Sequence, residues 1–299
     1  MTISWPEEIP SHVKRVLQAR FANPLDVLFH TDRELAEFVG LSITSAREVQ
    51  RNISQLYAPA PISALEALIS TKYLHSCLPS LDAFLGGGLQ ESWLVELVGE
   101  AGSGKTQWAM SIAATALLQG SRVFWLDTEN TFRPDRLIDF LPNRADLLSN
   151  LLTKRCSLLS ELLDSLLYIS NVLASEAITL TNPPLIVLDS IASPTLSLSS
   201  RLIDRTELLC RITRAVKSMK AVTIATNHMR ARLHESNSRP EPALGNTWAQ
   251  NINIRFLLGL AESPNSKERW VEVRKAPGID QPCSFKVNIR IEREGIKEL

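Results

Sequence analysis

Residues 99–106 read Gly-Glu-Ala-Gly-Ser-Gly-Lys-Thr, the G-x-x-x-x-G-K-[ST] pattern in which glycines let backbone N–H groups close around phosphate and a lysine reaches the outer phosphoryl oxygens. No other stretch restricts the fold so far, because this loop needs a strand on one side and a helix on the other. Trp93-Leu-Val-Glu-Leu-Val98 reads as that strand and Gln107-Trp-Ala-Met-Ser-Ile-Ala-Ala as that helix. Gly99, Glu100, Ala101, Gly102, Ser103, Gly104 and Lys105 are therefore candidate phosphate-binding residues, and Thr106 has a hydroxyl for magnesium.

Two carboxylates follow at the ends of apolar runs. Leu185-Ile-Val-Leu-Asp189 is an apolar strand ending in an acid, where a phosphate-loop protein keeps its magnesium-orienting group. Glu129 lies 23 residues past Thr106, just beyond the run Arg122 to Asp127, in reach of a water that attacks phosphate. The competing role for Glu129 is a turn cap beside Thr128 and Thr131.

Alternating strand-like and helical segments surround these motifs: Trp93 to Val98, Gln107 to Leu118, Arg122 to Asp127, Leu147 to Ala174, Leu185 to Asp189, Thr206 to Met219, Ala221 to Thr226. The alternation predicts a mostly parallel sheet covered by helices, with Leu147 to Ala174 as one long leucine-rich core helix. Past Asn251 strand-like runs follow one another without helices; Phe285, Val287, Ile289 and Ile291 alternate with polar residues, which predicts an antiparallel extension. From Ser11 to Leu56 the apolar residues recur at helical spacing, broken at Asn23-Pro24 and Gly40-Leu41-Ser42, with Thr31 or Asp32 as a cap. The expected organisation is a small all-helical domain over 1–56, a linker over 57–76 that contains Ala58-Pro-Ala-Pro61, and an α/β domain over 77–299.

Composition narrows the surroundings. Lys and Arg balance Asp and Glu at 32 each, so nucleic acid would be held by local basic patches and in a salt-sensitive way. Cys77, Cys156, Cys210 and Cys283 are widely spaced, with no zinc-ligand pattern and no disulfide framework. No stretch reaches the ~18 apolar residues of a membrane span, and a cytosolic or nuclear location is expected.

Asp127-Thr-Glu-Asn-Thr-Phe-Arg-Pro-Asp-Arg-Leu137 resembles the matching segment of the eukaryotic RecA-type strand-exchange recombinases, with Asn130 in place of their glycine. Gly-Lys-Thr-Gln107, Leu81-Asp82, Gly86-Gly-Gly88 and Ala225-Thr-Asn-His228 extend the likeness. Pro242-Ala-Leu-Gly-Asn-Thr-Trp-Ala249, Arg255, Cys283-Ser-Phe and Glu294-Gly-Ile296 are most similar to the third type in the X-ray-repair cross-complementing group of recombinase paralogues. The resemblance implies a RecA-like ATPase core that binds ATP and Mg2+ at a subunit interface through Gly99 to Gln107, Asp189 and His228. Glu129 would orient water with Lys105 as the catalytic cation, and His228 stands where the recombinases sense the terminal phosphate with glutamine.

The resemblance also implies nuclear work in homologous recombination, with some protein in the cytoplasm. Its partners would be the C-type recombinase paralogue as a heterodimer, the main recombinase filament, and single-stranded or branched DNA. The two DNA-facing segments would be Ser197 to Arg205, with Arg201 and Arg205, and Met229 to Gly245, with Arg230, Arg232 and Arg239. Neither holds an aromatic residue for base stacking. The family inserts an aromatic-x-x-Ala segment into a neighbour, matched here by Tyr57-Ala-Pro-Ala60, with Ile62 to Leu65 as an alternative anchor. It also caps the neighbour's ATP around a proline, matched by Pro277 with Arg274 and Lys275 before it.

Overall fold

A computed structural model describes residues 4–21, 23–58, 60–176, 181–196, 202–230, 241–261, 267–278 and 285–299. The chain divides into two compact units, Met1–Ser70 and Thr71–Leu299.

The first unit is helical: α1 (Ser11–Arg20), a 3-10 turn at Pro24–Phe29, α2 (Asp32–Val39), α3 (Ile43–Tyr57) and α4 (Ala64–Ser70). Its starts are written in the sequence. Asn23 and Thr31 each form a capping box, with Asp26 and Glu34 respectively returning the bond to the cap's own N–H, a device worth about 1 kcal/mol per cap. Thr31 is thus the cap of α2, and Gly40 ends that helix in the left-handed region at φ 72°. Val13, Leu17, Val27, Leu35, Ala46, Val49 and Ile53 close the core. Helix α4, inside the interval expected as linker, buries none of its residues.

The second unit begins with β1 (Tyr73–Leu74), α5 (Pro79–Phe84) and β2 (Leu89–Gln90). The strand–loop–helix follows as β3 (Leu94–Gly99) and α6 (Lys105–Leu118). Then come β4 (Val123–Asp127), α7 (Pro134–Ile138), β5 (Leu151–Arg155), α8 (Leu159–Glu176), β6 (Leu185–Asp189), α9 (Ala192–Leu196), α10 (Leu202–Ser218) and β7 (Val222–Arg230). The chain finishes with β8 (Glu241–Pro242), α11 (Gly245–Asn251), β9 (Ile254–Leu260), β10 (Glu268–Lys275), β11 (Lys286–Glu292) and β12 (Gly295–Glu298).

Among the described residues β1 and β2 pair by themselves, and the other ten strands form a sheet in the order β12-β11-β10-β9-β3-β7-β6-β4-β5, with β8 on β7. The run from β9 to β5 is parallel and β10 to β12 extend it antiparallel. Strands β3, β4 and β6 are buried at every residue, which is why they read as continuous apolar runs. Chain order and sheet order diverge at β3, since the next strand, β4, lies beyond β7 and β6. Such a crossing opens a crevice at the carboxyl ends of the strands, where ligands of α/β sheets bind.

The single helix expected over Leu147 to Ala174 is not formed. Ala145–Asn150 is a 3-10 turn, and Leu151–Arg155 pairs with β4, Val123 facing Leu151 and Asp127 facing Arg155. The leucine spacing fitted a helix, but β4 offered an open edge, and hydrogen bonding to it outweighs local helix preference. The helix starts only at Leu159, where the Glu161 carboxylate accepts the N–H groups of Ser157 (2.7 Å) and Leu158 (3.1 Å). No helix among the described residues is long and apolar enough to cross a membrane.

Candidate nucleotide site

The loop between β3 and α6 can be made only with glycine at its key points. A Cβ on Gly99 would meet Leu258 O and Ser103 Oγ at 2.5 Å, and one on Gly104, at φ +98°, would meet Ile291 Cδ1 at 2.8 Å. Gly102 also holds a positive φ of 76°. The Lys105 ammonium turns back into the loop, donating to Gly99 O (2.8 Å) and Glu100 O (2.9 Å). Burial lowers its pKa, partly offset by the carboxylates of Asp189 and Glu129. Ser103 Oγ is buried without a partner, while Glu100, Ala101 and Gly102 lie on the open side.

At the end of β6, Asp189 is 3% exposed. Its Oδ1 accepts from Thr226 Oγ1 (2.6 Å) and Thr106 Oγ1 (3.3 Å), and its Oδ2 is buried with no partner. Burial raises its pKa against the hydrogen bonds from Thr226 and Thr106. A buried carboxylate oxygen with a free lone pair beside a threonine hydroxyl is the donor chemistry of a hard divalent cation.

The turn after β4 is organised by Asp127, which sequence reasoning left without a role although it heads the quoted motif. Its Oδ1 accepts from the N–H of Glu129 (3.1 Å) and Thr131 (3.2 Å), its Oδ2 from Phe132 N–H (3.0 Å). Asn130 takes φ +57°, a conformation asparagine tolerates better than other side-chain-bearing residues. Because Asp127 caps the turn, Glu129 is released towards the crevice. There its Oε1 accepts from Ser190 Oγ (2.5 Å) and meets His228 Nε2 at 2.7 Å. The His228 bond is the largest cause of a lowered Glu129 pKa, followed, after opposing burial, by that from Ser190. Ser190, likewise unassigned from sequence, carries no motif signal beyond following Asp189.

Gln107 is committed elsewhere: its Oε1 accepts from Arg136 Nε (3.1 Å) and Nη2 (3.0 Å). Arg136 also donates to Glu292 O (2.8 Å) and Arg293 O (2.6 Å) and stacks over Phe140. The remaining expected residues stand apart. Arg230 is exposed at the end of β7. Arg201, Arg232 and Arg239 lie outside the described residues, as does the side chain of Arg205. Tyr57 packs on the core of the helical unit and donates to Ser4 O, and Ala60 is exposed. Arg274 pairs with Glu272 at 3.0 Å and Pro277 is exposed. Lys275 is engaged within its own chain, donating to the carbonyls of Ala249 (3.0 Å), Gln250 (3.4 Å) and Ile252 (2.6 Å) at the end of α11.

Comparison with known proteins gives the setting of this geometry. The family model described as Rad51 matches residues 72–298. The chain is 28% identical to human DNA repair protein RAD51 homolog 2, over 84% of its own length and 78% of that protein. It is 25% identical to DNA repair protein RAD51 homolog 4 of Bos taurus, over 92% of this chain and 90% of the other. With the human meiotic recombination protein DMC1/LIM15 homolog it shares 33% identity over 36% of its length, spanning about a third (35%) of that relative. With a family match that begins at the first strand and takes in the loop, both carboxylates and the antiparallel extension, this chain belongs to the Rad51 family.

Proposed function

We propose that this protein is an ATP-dependent recombinase paralogue of homologous recombination and double-strand break repair, most like the X-ray-repair cross-complementing type 3 group. It acts in the nucleus, with some protein in the cytoplasm. It binds ATP and single-stranded DNA in a heterodimer with the C-type recombinase paralogue and assists the main recombinase filament. The observation that carries this reading is the meeting of Glu129, Lys105 and the unpartnered oxygen of Asp189 in one crevice.

The residues fit ATP and Mg2+, as the glycine-lined loop and the orphaned buried Asp189 Oδ2 indicate. When bound, ATP supplies the phosphoryl group to be transferred and magnesium the positive charge that steadies it. The loop amides from Ala101 to Thr106 bind the phosphates. Lys105 exchanges its carbonyl partners for phosphoryl oxygens, and Thr106 with Asp189 holds the cation. Glu129 orients the attacking water and accepts its proton; Rad51 family members are ATPases, and slow turnover at a subunit interface suits a single carboxylate already bonded to two neighbours. Across that interface Arg274 or Lys275 reaches a neighbour's phosphates, Arg274 by leaving its pair with Glu272 or Lys275 by leaving the carbonyls of α11. Tyr57 and Ala60 are the linker's contact points, and Arg201, Arg205, Arg230, Arg232 and Arg239 grip DNA phosphates.

A second reading, an ATP-gated scaffold without hydrolysis, is favoured by one observation: the 2.7 Å contact with His228 occupies the same Glu129 oxygen that Ser190 holds. ATP binding and hydrolysis by the purified chain, with and without the C-type paralogue and single-stranded DNA, decide between them. Turnover stimulated by partner and DNA and lost in Glu129→Gln supports the ATPase. ATP binding that tightens the complex without turnover supports the scaffold, and no ATP binding overturns both.

A further inference from the structure

The floor of the site is charged. Glu96, in the middle of β3 between Val95 and Leu97, is 0% exposed. An apolar side chain there would pack without the cost of desolvating a carboxylate, and a buried charge persists only with several donors around it. Three converge. Oε2 accepts from Arg255 Nε, which comes from the residue facing Glu96 across β9. Oε1 accepts from Asn227 Nδ2 and from Trp248 Nε1, both at 2.7 Å.

The two donors on Oε1 come from strand β7 and from helix α11. Asn227 lies inside β7 directly before His228, and Trp248 lies on α11. Asn227 Oδ1 in turn accepts the His228 backbone N–H at 2.8 Å. One buried oxygen thus joins β7 to α11 and holds, through Asn227, the peptide that presents His228 to Glu129.

We propose that Glu96 and Trp248 are positioning residues for the His228–Glu129 pair, acting from the interior of the sheet by clamping β7 to α11. The clamp makes the direction of the His228 ring a property of the sheet's interior, so that strain at α11 is felt at the carboxylate facing the nucleotide. Its kinetic consequence rests on the ATPase reading above; its structural consequence does not.

The test is Trp248→Phe in the full chain, which keeps an aromatic ring and removes the indole donor together with part of the ring's volume. Hydrogen exchange of the nucleotide-free protein should show amides at 226–229 exchanging about tenfold faster, the scale of one lost bond to a charged acceptor, with β3 and β6 unchanged. ATP turnover should fall by about tenfold with KM for ATP held within about twofold. Glu96→Gln, which weakens both bonds to Oε1 while leaving Asn227 Oδ1 to accept the His228 N–H, should give the same local pattern, and it decides the question if Trp248→Phe does not fold. Unchanged exchange at 226–229, or an equal loss of protection over the whole sheet, overturns the proposal. The expected exchange pattern in a protein without ATP turnover supports the clamp and overturns the ATPase reading instead.

Discussion

Glu129 Oε1 lies 2.7 Å from His228 Nε2, joining the turn after β4 to the end of β7 across the crevice. The bond ties the group proposed to orient water to the residue proposed to face the nucleotide, and it separates two roles Glu129 could have. Asp127 takes the N–H groups of the turn, so nothing in the turn's backbone needs the Glu129 carboxylate.

Glu129→Gln should therefore leave the fold and ATP affinity within about twofold and cut turnover by at least about a hundredfold. Equilibrium binding and single-turnover hydrolysis measure the two separately. A loss of binding equal to the loss of turnover would return Glu129 to a structural role.

The same bond predicts a pH dependence of stability. Hydrogen bonds from His228 and Ser190 hold the Glu129 pKa below its ordinary 4.5 in the folded protein. Folding then favours the ionised form, so its contribution is fully present above the unfolded value and is lost as pH falls through the folded one. Thermal melts from about pH 3 to 7 should show wild type gaining on Glu129→Gln as pH rises through the carboxylate range and the gap constant above it.

Asp189→Asn should stabilise the nucleotide-free protein. Burial raises the Asp189 pKa, and Oδ2 has no partner to offset its desolvation, whereas an asparagine oxygen keeps the bonds from Thr226 and Thr106. We expect a gain of about 1 kcal/mol in denaturant unfolding without ligand. The extra stability that magnesium and ATP add to wild type should disappear. A less stable apo variant would show that the carboxylate is held by partners of its own.

At position 130 the backbone decides what is tolerated. Asn130 has φ +57°, so Asn130→Gly should be neutral to within about 0.5 kcal/mol, while Asn130→Val should cost about 1–2 kcal/mol. Urea unfolding of the pair checks this. Turnover should follow stability only in the valine variant, whose turn no longer presents Glu129.

Much of this was legible in the chain itself. Phosphate-loop glycines, apolar runs closed by Asp127 and Asp189, the cap at Thr31, and the alternation at Phe285 to Ile291 act over a few residues, so their chemistry survives in sequence order. Leu151–Arg155 did not, because an exposed edge strand with helix-like leucine spacing exists only where β4 lends it hydrogen bonds. Nor could sequence show that Lys275 donates to the carbonyls of α11.

Local order thus determined the two kinds of unit, the strand–loop–helix and the acids at the strand ends. Tertiary structure alone decided which of those groups meet: Ser190 and His228 on Glu129, Thr226 on Asp189, Asn227 and Trp248 on Glu96. The partners on Glu96 come from 131 and 152 positions along the chain, and distances of that kind close only when the sheet order β9-β3-β7-β6-β4 is in place. A buried polar group takes whichever donors the fold brings within about 3 Å, and no spacing in the sequence records which those are.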